Sequence, residues 1–193
     1  MTSCSKTNKL DDVNEILLFG DSLMSGYGLK EKQTLSIILE NDLKEAGYNI
    51  KVVNGSVSGD TSEDGLDRIE EYTSDSDIDL IVLGLGANDM LRRINPDQTE
   101  SNLRNIIEII KTNNIDIILA GMRAAPTNGL AYKKKFDDIF PKLAKEYDLI
   151  LIPFLLKKVA LNPKLNQSDG IHPNYEGAKV ISETIRESII NLD

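Results

Sequence analysis

Short, nearly continuous apolar runs rich in Ile, Val and Leu recur along this 193-residue chain, each followed by a longer segment. Such runs are typical of strands that are buried on both faces, as in a parallel sheet. The predicted strands cover residues 15–20, 49–54, 80–85, 115–121 and 149–153. The predicted helices cover residues 31–46, 61–72, 96–113, 131–147 and 174–191. The alternation predicts an α/β protein with three α/β/α layers around a five-stranded parallel sheet, joined by right-handed crossovers.

Three residues indicate how individual helices begin or continue. Thr61 is a suitable N-cap for the second helix, with Asp64 three residues further on. Pro173 is a start signal for the last helix. Pro141 lies inside the fourth predicted helix and is expected to kink or divide it, because proline lacks the backbone N–H that a helix needs.

A chain of 21.4 kDa fits one domain, and we place it over residues 13–193. Residues 1–12, which include the single cysteine Cys4, form a polar start that we expect to be a disordered tail or an engineered addition. No charged and then apolar leader is present, so the printed sequence predicts a cytoplasmic protein. A trimmed start would instead predict a periplasmic or lipid-anchored protein.

Composition argues against several kinds of partner. The net charge of −9 and the pI near 4.7 disfavour nucleic acid, which is bound by clustered Lys and Arg. No apolar stretch approaches the roughly 20 residues that span a bilayer. One histidine and one cysteine argue against a zinc site, so we expect neither a metal nor a cofactor. The sequence carries no prediction of an oligomeric state.

The residues with chemical potential follow the predicted strands. Ser22, Gly59 and Asn88 come after the first, second and third strands, and Asp169 and His172 come after the fifth. In open α/β sheets, ligands bind outside the carboxyl ends of the strands. His172 is the single imidazole available as a general base, Asp169 could orient it, and Ser22 is placed as a nucleophile. These residues can form a Ser/His/Asp hydrolytic site.

Other interpretations of the same residues remain open at this point. A Gly-Asp-Ser run by itself is typical of a turn, and a lone histidine is more often a surface or packing residue. Asp21 after the first strand could belong to a non-catalytic module such as a phosphoacceptor receiver domain. Receivers have an acidic cluster there and a lysine after the fifth strand, where this chain has Pro153 and Phe154. An inactive binding protein is a further alternative.

Read in order, these segments resemble the SGNH hydrolases, also called the GDSL esterase and lipase family. The resemblance rests on Gly-Asp-Ser-Leu at residues 20–23, Gly59, Gly-Ala-Asn-Asp at residues 86–89, and Asp-Gly-Ile-His-Pro at residues 169–173. Residues 53–62, 98–100 and 132–146 are more closely similar to the bacterial group of acyl-CoA thioesterase I, arylesterase and lysophospholipase L1.

The resemblance implies a flavodoxin-like SGNH fold and hydrolysis of small acyl, aryl or lysophospholipid esters, or of thioesters, through an acyl-enzyme. It implies Ser22 as nucleophile, His172 as base and Asp169 as its partner. The implied oxyanion hole consists of the backbone N–H groups of Ser22 and Gly59 and the Asn88 side chain. Carbohydrate O-acetyl ester hydrolysis by the same triad is the alternative. Residues 90–93 and 122–130 are expected to line the substrate.

Overall fold

The computed structural model of the protein describes residues 9–74 and 77–192. Its strands are β1 (Glu15–Gly20), β2 (Lys51–Asn54), β3 (Leu80–Gly84), β4 (Asp116–Ala120) and β5 (Ile150–Ile152). All neighbouring strands are parallel, in the order β2-β1-β3-β4-β5. The predicted five-stranded parallel sheet is confirmed, and each predicted strand lies within two residues of its observed bounds.

Helices cover both faces of the sheet. They are α1 (Ser22–Ser25), α2 (Leu35–Glu45), α3 (Ser62–Arg68), α4 (Glu70–Thr73), α5 (Ala87–Leu91), α6 (Pro96–Thr112), α7 (Leu130–Tyr147) and α8 (Tyr175–Ile190). Helices α2 and α8 pack together on one face, while α3, α6 and α7 pack in sequence on the other. Because the crossover from β1 to β2 runs opposite to the later crossovers, right-handed connections place α2 on the face opposite α3, α6 and α7.

Several predicted helices differ in detail from the observed ones. The first is a 3-10 turn (Glu31–Gln33) followed by α2, and the second is divided into α3 and α4. The predicted Thr61 cap is confirmed, because Thr61 and Asp64 form a reciprocal capping box. Of the two outcomes expected at Pro141, a kink or a division, the division is wrong: α7 is continuous. Pro141 lies on the exposed side of α7, where water can bond to the carbonyl that proline leaves unpaired.

The start of the domain lies earlier than predicted. Residues Lys9–Asp12 form a 3-10 turn, and the Leu10 side chain is buried in the core. The expected tail over residues 1–12 is therefore too long at its carboxyl end, since burial of an apolar anchor orders this turn. Residues 1–8 and Cys4 lie outside the described part. None of the helices in the described ranges has the length and apolarity needed to cross a membrane.

Two glycines determine how closely the first helix approaches the sheet. Gly20 and Gly84 are paired in register at the carboxyl ends of β1 and β3. A Cβ atom on either residue would overlap the Met24 side chain, which packs over both. Met24 is fully buried, so α1 is anchored between β1 and β3. The strand order reverses at this point, which is where α/β proteins of this topology bind ligands.

Candidate active site

Ser22 is the first residue of α1, and a single residue, Asp21, separates it from the end of β1. The preceding residue, Asp21, caps the helix, because the Leu23 backbone N–H donates to Asp21 Oδ1 at 3.0 Å. Gly26, with φ of +80°, ends the helix after a single turn. The nucleophile candidate is therefore held at the carboxyl edge of the sheet by a cap on one side and a left-handed glycine on the other.

The loop before α8 brings His172 to Ser22 across 150 positions of sequence. His172 Nε2 lies 3.0 Å from Ser22 Oγ, and His172 Nδ1 lies 2.7 Å from Asp169 Oδ2. The other carboxylate oxygen, Oδ1, accepts backbone N–H bonds from Ile171 at 2.8 Å and His172 at 3.0 Å. These hydrogen bonds, first of all the one with the His172 ring, lower the pKa of Asp169 to about 2. Asp169 is thus a carboxylate at neutral pH.

Gln167 links the loop that carries Ser22 to the loop that carries His172. Its Nε2 donates to the Tyr27 carbonyl at 2.7 Å and to the Pro173 carbonyl at 3.0 Å, while the His172 carbonyl accepts its backbone N–H at 2.7 Å. The Tyr27 ring lies 4.5 Å from the imidazole, centroid to centroid. The imidazole is therefore held by a carboxylate at one nitrogen and by the tilted Tyr27 ring beside it, and the His172 backbone is hydrogen-bonded to Gln167 and Asp169.

Three hydrogen-bond donors lie in the segments that follow β1, β2 and β3. Within the described residues, the backbone N–H groups of Ser22 and Gly59 donate to no protein acceptor. Asn88 Nδ2 donates to the Asp60 carbonyl at 2.9 Å, which leaves its second hydrogen free. Gly59 has φ of +96°, and a Cβ there would come no closer than 4.0 Å to Arg92 Nη2. The backbone conformation at Gly59 requires glycine, and the space that a Cβ atom would enter is open.

The position of Asn88 depends on its buried neighbour Asp89. Asp89 Oδ2 accepts the Ser62 backbone N–H at 2.9 Å, and Oδ1 accepts the Ser62 hydroxyl at 2.5 Å and the Thr99 hydroxyl at 3.0 Å. These bonds join α5 to α3 and α6. Because the buried Asp89 side chain accepts three hydrogen bonds, it is held rigidly, and the turn that carries Asn88 is anchored to α3 and α6.

Asp21 is the other carboxyl group near the reacting atoms. It is fully buried, and its Oδ2 has no hydrogen-bond partner among the described residues. Burial raises the pKa of Asp21 to about 7, the Leu23 N–H bond opposes that rise, and the nearby Asp89 charge adds to it. Asp21 thus bonds within its own loop, through the Leu23 contact.

The two segments expected to line the substrate are in contact with each other. Asn128 Nδ2 donates to the Met90 carbonyl at 2.8 Å, and Arg93 Nη2 donates to the Thr127 carbonyl at 3.3 Å. The Leu91 and Leu130 side chains nearby are exposed, whereas the Met122 side chain is buried and packs in the core. Met122 was expected to line the substrate as part of residues 122–130, but its burial in the core leaves it little exposed surface.

Arg68, Asp60, Gln167 and Tyr27 contact the site but were not found from the sequence. Asp60 is adjacent to Gly59, which is a weak signal; the other three lie where no local motif marks them. No group of three His, Cys, Asp or Glu side chains in residues 9–74 and 77–192 is placed to hold a metal ion.

Comparison with known proteins places the chain in a family. The model of the GDSL-like Lipase/Acylhydrolase family matches residues 18–180. An arylesterase of Vibrio mimicus is 35% identical, over 91% of this chain and 88% of that protein. Thioesterase 1/protease 1/lysophospholipase L1 of Escherichia coli strain K12 is 37% identical, over 90% of this chain and 82% of that protein.

A solved structure agrees with these relatives. The psychrotrophic esterase EstA from Pseudoalteromonas sp., inhibited by monoethylphosphonate, superposes with a TM-score of 0.86 at 27% identity. The superposition covers 91% of this chain and 96% of that one. The chain belongs to the GDSL-like lipase/acylhydrolase family. The predicted fold and the predicted class, a carboxylic ester hydrolase, are confirmed.

Proposed function

We propose that this protein hydrolyses small acyl and aryl esters, and acyl thioesters, through an acyl-enzyme formed on Ser22. The observation that carries the proposal is the bonded series from Ser22 Oγ to His172 Nε2 at 3.0 Å and from His172 Nδ1 to Asp169 Oδ2 at 2.7 Å. A nucleophile, a base and a group that orients the base are thereby in line and within hydrogen-bond distance.

In the first half-reaction, Ser22 Oγ attacks the carbonyl carbon while His172 Nε2 takes the hydroxyl proton. Asp169, which is ionised, accepts from Nδ1 and stabilises the imidazolium. The tetrahedral intermediate collapses when the bond to the leaving alkoxide or thiolate breaks, and His172 returns the proton to that group. Water then attacks the acyl-enzyme by the same route, which releases the acid and restores Ser22.

The negative charge on the former carbonyl oxygen is assigned to three donors. These are the unpaired backbone N–H groups of Ser22 and Gly59 and the free hydrogen of Asn88 Nδ2. Preorganised donors of this kind are the largest single contribution to many acyl-transfer reactions. They come from three different loops, so the hole exists only when the sheet edge is assembled.

The substrate class is supported by two kinds of observation. The relatives are named for arylesterase, thioesterase and lysophospholipase activities. The exposed Leu91 and Leu130 side chains offer apolar surface on segments that follow β3 and β4. We therefore expect esters with an apolar acyl or aryl group to be preferred over acetylated saccharides. Hydrolysis rates for p-nitrophenyl esters of increasing acyl length, beside one acyl-CoA and one acetylated saccharide, compare the two classes.

Labelling by a fluorophosphonate tests the nucleophile. The probe should label the wild-type protein at Ser22, and Ser22→Ala should abolish both labelling and ester hydrolysis, because within residues 9–74 and 77–192 no other hydroxyl is bonded to His172 Nε2. Ser25→Ala is the matched control: Ser25 lies in the same helix, and its hydroxyl donates to the Ser22 carbonyl at 3.5 Å and to no other acceptor in the described part of the chain. It should keep labelling. A folded wild-type protein that stays unlabelled, or a modified Ser25, would contradict the proposal.

A further inference from the structure

Arg68, the last residue of α3, lies beneath the loops that carry the candidate oxyanion donors. Its Nε donates to Asp60 Oδ2 at 2.6 Å, its Nη1 to the Gly55 carbonyl at 2.5 Å, and its Nη2 to the Gly20 carbonyl at 3.2 Å. The Arg68 and Asp60 side chains are only 15% and 12% exposed. Each of the three guanidinium nitrogens therefore donates one hydrogen bond, and the group is largely shielded from solvent.

The acceptors of Arg68 come from two different loops. Gly20 ends β1 and is followed by Asp21 and Ser22, whereas Gly55 and Asp60 enclose the loop that contains Gly59. A guanidinium presents its donors in a rigid planar fork, so its three simultaneous bonds restrain the separation of the loops, together with the Val57 N–H bond to the Gly20 carbonyl at 3.0 Å. The Phe19 ring lies 4.0 Å below the guanidinium carbon and supports its plane.

Asp60 extends this connection to the third donor. Its side chain accepts from Arg68, and its backbone carbonyl accepts Asn88 Nδ2 at 2.9 Å. The same residue is the covalent neighbour of Gly59. A single side chain thus connects the segment of Ser22, the peptide beside Gly59 and the amide of Asn88, which are the sources of all three donors.

We propose that Arg68 is a positioning residue of the oxyanion hole, which holds the Ser22, Gly59 and Asn88 donors at fixed mutual distances through Gly20, Gly55 and Asp60. The proposal rests on the proposed function, since it assigns Arg68 to the stabilisation of an oxyanion. Arg68 does not touch the reacting atoms. Its effect is on geometry, because an oxyanion donor must be placed to within about 0.5 Å to be useful.

Replacement of Arg68 by lysine keeps the charge and removes the fork. We expect Arg68→Lys to lower kcat about 10-fold to 100-fold, less than the 10²–10³ that follows outright loss of a donor. KM should change less than about threefold, because the donors act on the transition state rather than on bound substrate.

The matched control is Arg104→Lys. Arg104 is 24% exposed and also contacts two carboxylates, Glu100 at 2.9 Å and Glu146, together with the Tyr147 ring. Its contacts lie between α6 and α7 and include no residue of the site. Arg104→Lys should keep the wild-type kcat. Equal kcat values for the two arginine variants would overturn the inference.

A double-variant cycle separates positioning from a general loss of stability. Asn88→Ala alone should lower kcat about 10²-fold to 10³-fold. Because Arg68 acts partly through Asn88, the double variant should lose less than the product of the two single losses. A double variant whose loss of kcat equals the product of the two single losses would mean that Arg68 acts at a place other than Asn88. If Arg68→Lys does not fold, Asp60→Asn takes its place, with an expected loss of about threefold to tenfold; a wild-type kcat there would overturn the inference.

The outcomes keep the two proposals apart. A folded wild-type protein without ester hydrolysis or Ser22 labelling overturns the proposed function. An active wild-type protein whose Arg68→Lys and Arg104→Lys variants are equally active overturns only the role of Arg68.

Discussion

The loop that carries the nucleophile and the loop that carries the base each contain an aspartate, and the two aspartates differ in almost every respect. Asp21 is fully buried, accepts one backbone N–H and leaves one oxygen unpaired, and its pKa is raised to about 7. The Asp169 side chain is 39% exposed and accepts three hydrogen bonds, and its pKa is lowered to about 2.

The difference shows what makes a carboxyl group useful beside an imidazole. Asp169 has solvent contact and enough donors to remain charged, so it can stabilise His172 when the ring takes a proton. Asp21 pays a desolvation penalty that its single bond does not offset, so about half of it is still protonated near pH 7. One aspartate serves the chemistry, and the other shapes the turn that presents Ser22.

The largest expected effect tests the charged member of this pair. In Asp169→Asn, the amide oxygen would keep the backbone bonds of Ile171 and His172, which turns the Nδ2 group toward the imidazole. Nδ1 would then have to accept, Nε2 would carry the proton, and Ser22 would lose its base. We expect kcat to fall about 10⁴-fold. Steady-state kinetics with a p-nitrophenyl ester measures it.

Asp97→Asn is the control for this prediction, because Asp97 is an exposed aspartate in the first turn of α6 that pairs with Lys135 at 3.2 Å. It should leave kcat unchanged. A loss of less than tenfold in Asp169→Asn would break the contrast between the two aspartates.

A smaller effect concerns the free energy of unfolding and Asp21, the buried aspartate. The pKa of Asp21 in the folded protein, about 7, lies above the usual 3.8. Between about pH 4 and pH 7 the native state therefore holds a proton on Asp21 that the unfolded chain releases. Asp21 therefore makes the protein less stable as the pH rises through that range, by up to about 4 kcal/mol. Asp21→Asn should remove this dependence. Urea unfolding at pH 5 and at pH 8 measures the difference.

The sign of that difference is decisive. The free energy of unfolding of Asp21→Asn minus that of the wild type should grow from pH 5 to pH 8. A difference that stays constant with pH would mean that Asp21 is ionised in the folded protein throughout this range.

The smallest expected effect is on the rate of Asp21→Asn. Asparagine can keep the cap through its amide oxygen, and about half of Asp21 is already neutral near pH 7. We expect kcat at pH 7 to change less than tenfold, against about 10⁴-fold for Asp169→Asn. A loss as large as that of Asp169→Asn would assign Asp21 to the reaction and would require a different account of Ser22 activation.

Periodic and local features of this chain were predictable from the sequence. The strands and the Thr61 cap depend on near neighbours in the sequence. The rule that ligands bind at the carboxyl edge of the sheet pointed to the residues that follow the strands, namely Ser22, Gly59, Asn88, Asp169 and His172. The short helices α1 and α5 were not predicted, because a single turn has no periodic apolar pattern. Of the kink or division expected at Pro141, the division was wrong, because the exposure of that residue depends on packing.

By itself, then, the sequence determined the α/β alternation and the set of side chains that reach one edge of the sheet. Only the tertiary structure decided that Ser22 meets His172, that Asp21 keeps an unpaired oxygen, and that Arg68 joins the Gly20 carbonyl to Asp60. The physical reason is range: propensity and periodicity act over a few residues. Hydrogen bonds between distant loops, and the desolvation that shifts a pKa, exist only after the core has packed.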